Sequence, residues 1–221
     1  MAAIEYVHGS MKGAQEALED MPPRAEEELD CVTLHNQALM NMEGDPAAGF
    51  RKLNFLLQTP PFPPETFGNL LLLYSMPSHG FHNIAADIMA ENADFTFKYL
   101  SQDLCDFLDA TILAQTLPEE AYLKLNELAN RNGETLRCMT KQIQDACTSH
   151  DQDTYQRAMS EFEETLEGYI PILMSMAKIW WDKENYVQVE RIFHQSADLC
   201  SEHDVWKVNV AHTFFMQVLK C

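Results

Sequence analysis

Along most of the chain, apolar residues return every three or four positions, the period of a helix with one buried face; the strict alternation of a half-exposed strand is scarce. From Pro118 to about Ala146, the residues Leu125, Leu128, Leu136, Met139, Ile143 and Ala146 form one stripe. It predicts a single long helix with Gly133 as its weak point. After the polar turn "TSHDQD", Tyr155, Met159, Phe162, Leu166 and Tyr169 recur at steps of 4, 3, 4 and 3 and predict a second helix. The two read as a long helical hairpin. The same heptad-like spacing also fits a coiled-coil seam between two chains, but the stripe is short and impure, which favours packing within one chain.

Outside this hairpin the pattern repeats at a fixed period. "LMSMAKIWWDKENYVQVERIFHQSA" (Leu173 to Ala197) has the order of a tetratricopeptide helix pair: small Ala177, aromatic Trp180, a turn ending at Tyr186, then Phe193. Thirty-four residues on, Met176, Ala177 and Trp180 return as Val210, Ala211 and Phe214. The logic is steric. A small residue lets two helices approach, an aromatic fills the space beside the contact, and the next hairpin covers what remains. Looser units place Ala38 before Gly49, Leu53 and Leu56, and Leu70 and Tyr74 before a turn at Gly80–Phe81 and then Ala85 and Met89.

The predicted fold is therefore all-α: a tetratricopeptide-type helical-repeat solenoid, or superhelix, with a longer hairpin in the middle. Units fall near 1–23, 31–61 and 64–94, with the long hairpin at 96–168, a unit at 170–203 and a partial one at 204–221. Both ends read as incomplete, so a piece or shortened form of a longer array is expected.

"PPFPPETFGNLLLLY" sets a helix-hostile stretch against a greasy one. Pro60 and Pro61 end one helix by removing amide donors, and Pro64 stands where the next begins. Leu70 to Tyr74 are apolar all round because an internal repeat helix is covered on several sides. The two PxxP frames also fit an SH3-type ligand, but no basic residue closely flanks them, which favours a packed joint.

Charge narrows the choice of partners. Acidic residues outnumber basic ones by 34 to 15, a net charge of −19, which disfavours nucleic acid and anionic membranes and favours basic or neutral partners. Clusters such as "RAEEELD" and "EFEETLE" read as solvated helix faces. No apolar run approaches the ~20 residues of a membrane span, and the start lacks a secretory pattern. The six cysteines are scattered without a CxxC pair, which suits reduced thiols in a soluble intracellular protein. His194, Cys200 and His203 are a candidate metal set, but on one helix they face different ways and a fourth ligand is not evident. His79 and His82 lie in a turn without partners. No hydrolase, zincin, P-loop or dinucleotide signature occurs. Neither an enzyme nor a bound cofactor or metal is expected.

The expected working surface is the inner groove lined by the first helix of each unit. Its register gives His35, Leu39 and Met42; Gly68, Leu72 and Ser75; Met174, Lys178 and Trp181; and Val208, His212 and Phe215. Of these, Leu39, Met42, Leu72, Met174, Lys178, Trp181 and Phe215 are the leading partner-binding candidates. Only Lys178 is a cation, so a carboxylate clamp of the chaperone-adaptor kind is disfavoured. An apolar, aromatic groove suits an extended neutral segment, and stiff proline-rich chain loses little entropy on binding. The same residues could equally pack the interior of a tight superhelix.

Several long motifs carry a resemblance: "DMPPRAEEELD", "VTLHNQALMNM", "PFPPETFGNLLLLY", "AADIMAEN", "CDFLDATILAQTLPEEA", "HDVWKVNVAH" and "FFMQ". Together they resemble the tetratricopeptide repeat protein 30 family, from Ala2 to about Gln217. The resemblance implies a non-catalytic scaffold subunit of intraflagellar transport complex B that winds around a proline-rich segment of another core subunit. It further implies a place in the cilium (axoneme, intraflagellar particle, ciliary base) and cytoplasm, and indirect contact with kinesin-driven trains. Roles in cilium assembly, anterograde transport and axonemal tubulin polyglutamylation follow from it too. Two departures stand out: "SMPSHGFHNI" is about two residues longer than the family's turn, and "VLKC" stands where a turn and second helix are expected.

Overall fold

A computed structural model of the chain describes residues 11–19, 30–42, 44–76 and 80–220. These are helical, with no strand among them, in the all-α, tetratricopeptide-type arrangement expected. In order the helices are α1 (Met11–Glu19), α2 (Cys31–Asn41), α3 (Pro46–Gln58), α4 (Glu65–Ser75), α5 (His82–Glu91), α6 (Ala93–Tyr99), α7 (Gln102–Leu113), α8 (Pro118–Ser149), α9 (Gln152–Asp182), α10 (Tyr186–Cys200) and α11 (Asp204–Lys220). The chain divides into two compact units, Met1–Leu100 and Ser101–Cys221.

In the first unit each helix packs on its neighbour in sequence. α2 starts where the Asp30 carboxylate accepts from the Thr33 amide at 3.0 Å, and α3 where Asp45 accepts from the Ala48 amide at 3.1 Å. Such caps satisfy amides that have no intrahelical partner and contribute about 1 kcal/mol each. The α2–α3 contact is close because Ala38 and Gly49 are small and buried. A Cβ on Gly49 would overlap the Met42 thioether and stand 2.8 Å from the Ala38 carbonyl oxygen.

The proline joint is packed. α3 ends at Gln58, the Pro60–Pro61 bond is cis, and α4 begins just after Pro64. Phe62 between them is half-buried, with its ring 5.6 Å from Tyr99 and 6.3 Å from Phe95. α4 touches α3, α5 and α6, which is why Phe67, Leu70, Leu71 and Tyr74 are all buried on one short helix. The turn into α5 uses Gly80 at φ +69°, a backbone shape that glycine adopts freely. Beyond it Phe81 stands edge-on to both Phe50 and Tyr74, which stack at 4.8 Å.

The second unit is built on the long hairpin. α8 and α9 pack along each other, α7 lies on α8, α10 lies on both α8 and α9, and α11 lies on α10. The stripe read as a hairpin seam does face its own chain: Phe162 and Leu166 pack on a core that includes Leu125, Leu128, Leu136, Tyr169, Leu173 and Met176. α8 ends in a left-handed residue, His150 at φ +56°, and Asp151 then caps α9 by accepting from the Thr154 amide at 3.1 Å. On the surface, Arg131 joins Asp103 and Asp106, both at 2.7 Å, and so ties α8 to α7.

Two expected unit boundaries fall inside helices. The one at 94/96 lies within α6, and the one at 168/170 within α9. α9 continues through Pro171: the lost amide bond and the ring's crowding of the preceding turn are offset by the burial of Tyr169, Ile170, Ile172 and Leu173 around it.

The 34-residue repeat holds in position but not in environment. Ala177 is buried, whereas Ala211 is exposed; Trp180 is half-buried and edge-on to Tyr122 at 5.5 Å, whereas Phe214 is 49% exposed. The Ala211 side of α11 meets no described helix.

Candidate partner-binding groove

In the second unit, three helices meet at a notch of about 260 Å³. α9 contributes Ala177, Lys178 and Trp181, α10 contributes Val189 and Phe193, and α11 contributes Asn209, His212 and Thr213. Each helix therefore offers residues one turn apart, and the turns at its ends fix their heights. Where α9 ends, the carbonyls of Trp180 and Trp181 accept from the amides of Asn185 and Glu184, at 2.9 and 2.8 Å. The Asn185 side chain then caps α10.

The notch has an apolar floor and an aromatic wall. Trp181 stands edge-on to Tyr186 at 4.9 Å and lies tilted against His212 at 4.8 Å. Beneath it, Phe193 meets Trp206 edge-on at 6.0 Å. The Trp206 indole donates to the Ser196 hydroxyl at 2.9 Å, and that hydroxyl lies 3.2 and 3.1 Å from the Ile192 and Phe193 carbonyls. The buried Trp206 indole and Ser196 hydroxyl are thus satisfied. Lys178 is the one Lys or Arg lining the notch, and its ammonium donates to both Asp182 oxygens, at 2.9 and 2.8 Å. Its charge is neutralised within α9.

Of the residues the spacing assigned to the groove, Lys178 and Trp181 line this notch together with His212. Met174 is half-buried against the core, and Phe215 stands 59% exposed outside the notch. In the first unit, Leu39, Met42 and Leu72 are half-buried. His35, Gly68 and Ser75 are buried.

His35 joins α2 to α4. Its Nε2 accepts from the Asn69 side-chain Nδ2 at 3.2 Å, which leaves the proton on Nδ1 to be donated to Thr66 Oγ1 at 2.9 Å. Burial holds its pKa below the ordinary histidine value, opposed by the nearby Glu65 carboxylate. It is a neutral strut within the core.

Spacing did not single out Asn209, Thr213 or Val189. Asn209 and Thr213 lie 34 residues after Ser175 and Ile179, neither of which lines the notch, so the repeat period carries no signal for them.

The candidate metal residues stand apart chemically. Cys200 is fully buried, and burial pushes its thiol up to about 12. His194 is exposed, and His203 Nε2 lies 3.4 Å from Glu167. His82 is half-buried with Nδ1 unpartnered, and His79 lies outside the described residues. Among the described residues no group of three or more His, Cys, Asp or Glu side chains is placed to hold a metal ion. None of the described helices is long and apolar enough to cross a membrane.

Packed helical hairpins and an aromatic-walled notch define an all-α, tetratricopeptide-type helical-repeat protein. Residues 66–220 match the family described as Intraflagellar transport protein 70 C-terminal domain, and the chain belongs to that family. Over 216 residues, 98% of its length, it is 59% identical to intraflagellar transport protein 70A of Xenopus laevis and to intraflagellar transport protein 70A1 of Mus musculus. It is 57% identical over the same share to intraflagellar transport protein 70A of Homo sapiens. The match covers 33%, 32% and 32% of those proteins, so the chain spans about a third of the length of the relatives it matches. This is the family that the sequence resembles under its tetratricopeptide name.

Proposed function

We propose that the chain acts as a non-catalytic scaffold in intraflagellar transport complex B, gripping an extended, proline-rich segment of another core subunit. It serves in the cilium, at the axoneme, the intraflagellar particle and the ciliary base, and passes through the cytoplasm. Through the complex it travels on kinesin-driven trains and supports cilium assembly, anterograde transport and axonemal tubulin polyglutamylation. Membership of the intraflagellar transport protein 70 family supports the placement. The groove reading rests on the Trp181–His212 wall above an apolar floor, with its one cation already held by Asp182.

Such a notch favours burial of neutral side chains over recognition of charge. A proline ring packs well on an indole face, and a pre-extended chain has little conformational freedom to lose. Acidic peptide tails, the ligands of a chaperone-adaptor clamp, would meet no available cation in the notch and a chain of net charge −19.

The test is co-purification with complex B subunits and titration with their proline-rich segments. Trp181→Ala removes the notch wall and is expected to weaken capture about 10-fold or more, as loss of an interface aromatic does. Leu72→Arg is expected to weaken capture through the first unit. Wild-type capture by both variants, with helicity intact, would refute the groove reading.

A further inference from the structure

Four Ser or Thr hydroxyls in the chain have a carboxylate three residues on: Thr116, Thr148, Ser160 and Ser201. A protein kinase with a basic substrate groove reads such carboxylates on an extended segment. The acceptor hydroxyl must then be free, its carboxylates open and its backbone able to straighten. The fold separates the four. Thr116 Oγ1 donates to the Leu113 carbonyl at 3.3 Å, and Glu119, the carboxylate that follows it, accepts from Lys183 at 3.1 Å. Thr148 Oγ1 donates to the Gln144 carbonyl at 2.9 Å, and Asp151 uses both oxygens to cap α9 through Thr154. Ser160 is exposed but lies inside α9, with helix on both sides.

Ser201 meets all three conditions. It is exposed, it stands at the C-cap of α10, and its hydroxyl bonds to no described residue. Carboxylates follow at the next position and at the third, where the Glu202 and Asp204 side chains are 96% and 97% exposed, each 3.6 Å from the Lys207 ammonium. The turn is weakly held. His203 Nδ1 is buried with no partner among the described residues, and its Nε2 reaches Glu167 only at 3.4 Å. Straightening the turn frays the start of α11, where the His203 and Lys207 amides donate to the Cys200 and His203 carbonyls at 2.9 and 3.0 Å. It also opens the unpaired Nδ1 to water, which offsets part of the cost.

We propose that Ser201 is a phosphorylation site for an acidic-directed serine/threonine kinase. Ser201 Oγ attacks the γ-phosphorus of ATP held by that kinase. The new O–P bond replaces the bond to the leaving ADP, and the hydroxyl proton passes to the kinase's catalytic carboxylate. Phosphorylation of Ser201 is independent of what the notch holds.

The test incubates the full chain with magnesium ATP and a purified acidic-directed kinase, then maps phosphate by mass spectrometry. One phosphate is expected, on Ser201, and none in Ser201→Ala. Asp204→Asn, checked for intact helicity and tryptophan emission, should slow incorporation about 10-fold or more, because it removes a charge that the basic groove reads. Glu202→Gln should slow it by a smaller factor. Lys207→Gln should speed it about 2-fold, since both carboxylates lose the cation that competes for them. No incorporation would overturn the site, as would phosphate confined to Thr116, Thr148 or Ser160, or a rate indifferent to Asp204→Asn. An unchanged rate in Lys207→Gln would overturn the competition assigned to Lys207.

Discussion

The two units solve the same packing problem with opposite means. In the first, helices of 7 to 13 residues meet at close points, where Gly49 has room for nothing larger and a neutral histidine, His35, ties α2 to α4. In the second, helices of 32 and 31 residues run along a continuous apolar seam. There Gly133 is buried but not needed for clearance, since a Cβ would meet Tyr169 Oη at an ordinary 3.6 Å. Short helices have few contacts over which to spread a misfit, so each position matters. Long ones share it. A glycine at a helix–helix contact can thus be either a requirement or a residual weakness, and only its neighbours say which.

This contrast can be broken by experiment because all three tryptophans, Trp180, Trp181 and Trp206, lie in the second unit. Tryptophan emission reports that unit, while far-ultraviolet circular dichroism reports both. The largest effect is expected from Leu125→Ala, in the fully buried seam, at about 2–5 kcal/mol of destabilisation seen by both signals. Gly49→Ala should cost about 1–3 kcal/mol, because the backbone of Ala38 must move, and should shift the dichroism transition while leaving emission in place. If emission follows, the units unfold together. Gly133→Ala has the opposite sign: removing a helix-interior glycine should stabilise the second unit by about 0.5–1 kcal/mol.

The smallest effect is pH dependence at His35. Its folded pKa lies below the ordinary 6.5, so the unfolded chain binds the proton more readily. Its contribution is fully present above pH 6.5 and is lost as pH falls through the folded value. Between about pH 7.5 and 5.5 the wild type should lose melting temperature that His35→Asn, which has no imidazole to protonate, does not lose; equal slopes in both would remove His35 from the account.

Much of the architecture was legible beforehand. The stripe from Leu125 to Ala146 and that from Tyr155 to Tyr169 located the long hairpin, because a helix buries one face whatever lies opposite. Pro60, Pro61 and Pro64 marked the joint, because a missing amide acts locally. The groove was less legible. His35, Gly68 and Ser75 shared a helical register with Leu39, Met42 and Leu72, yet they are buried, because register fixes a direction around one helix and not what stands in that direction. Ala177 and Ala211 share a repeat position, yet one is covered and the other open.

By itself, then, the sequence determined the helices, their caps and breaks, the family and the acidic character, since these follow from local sterics and composition. Tertiary structure decided which side chains meet. It set Trp181 against His212, closed Lys178 onto Asp182 and crowded Gly49 against Met42 and Ala38. Those outcomes depend on the distance between helices far apart in the chain, a quantity that no pattern along one helix contains.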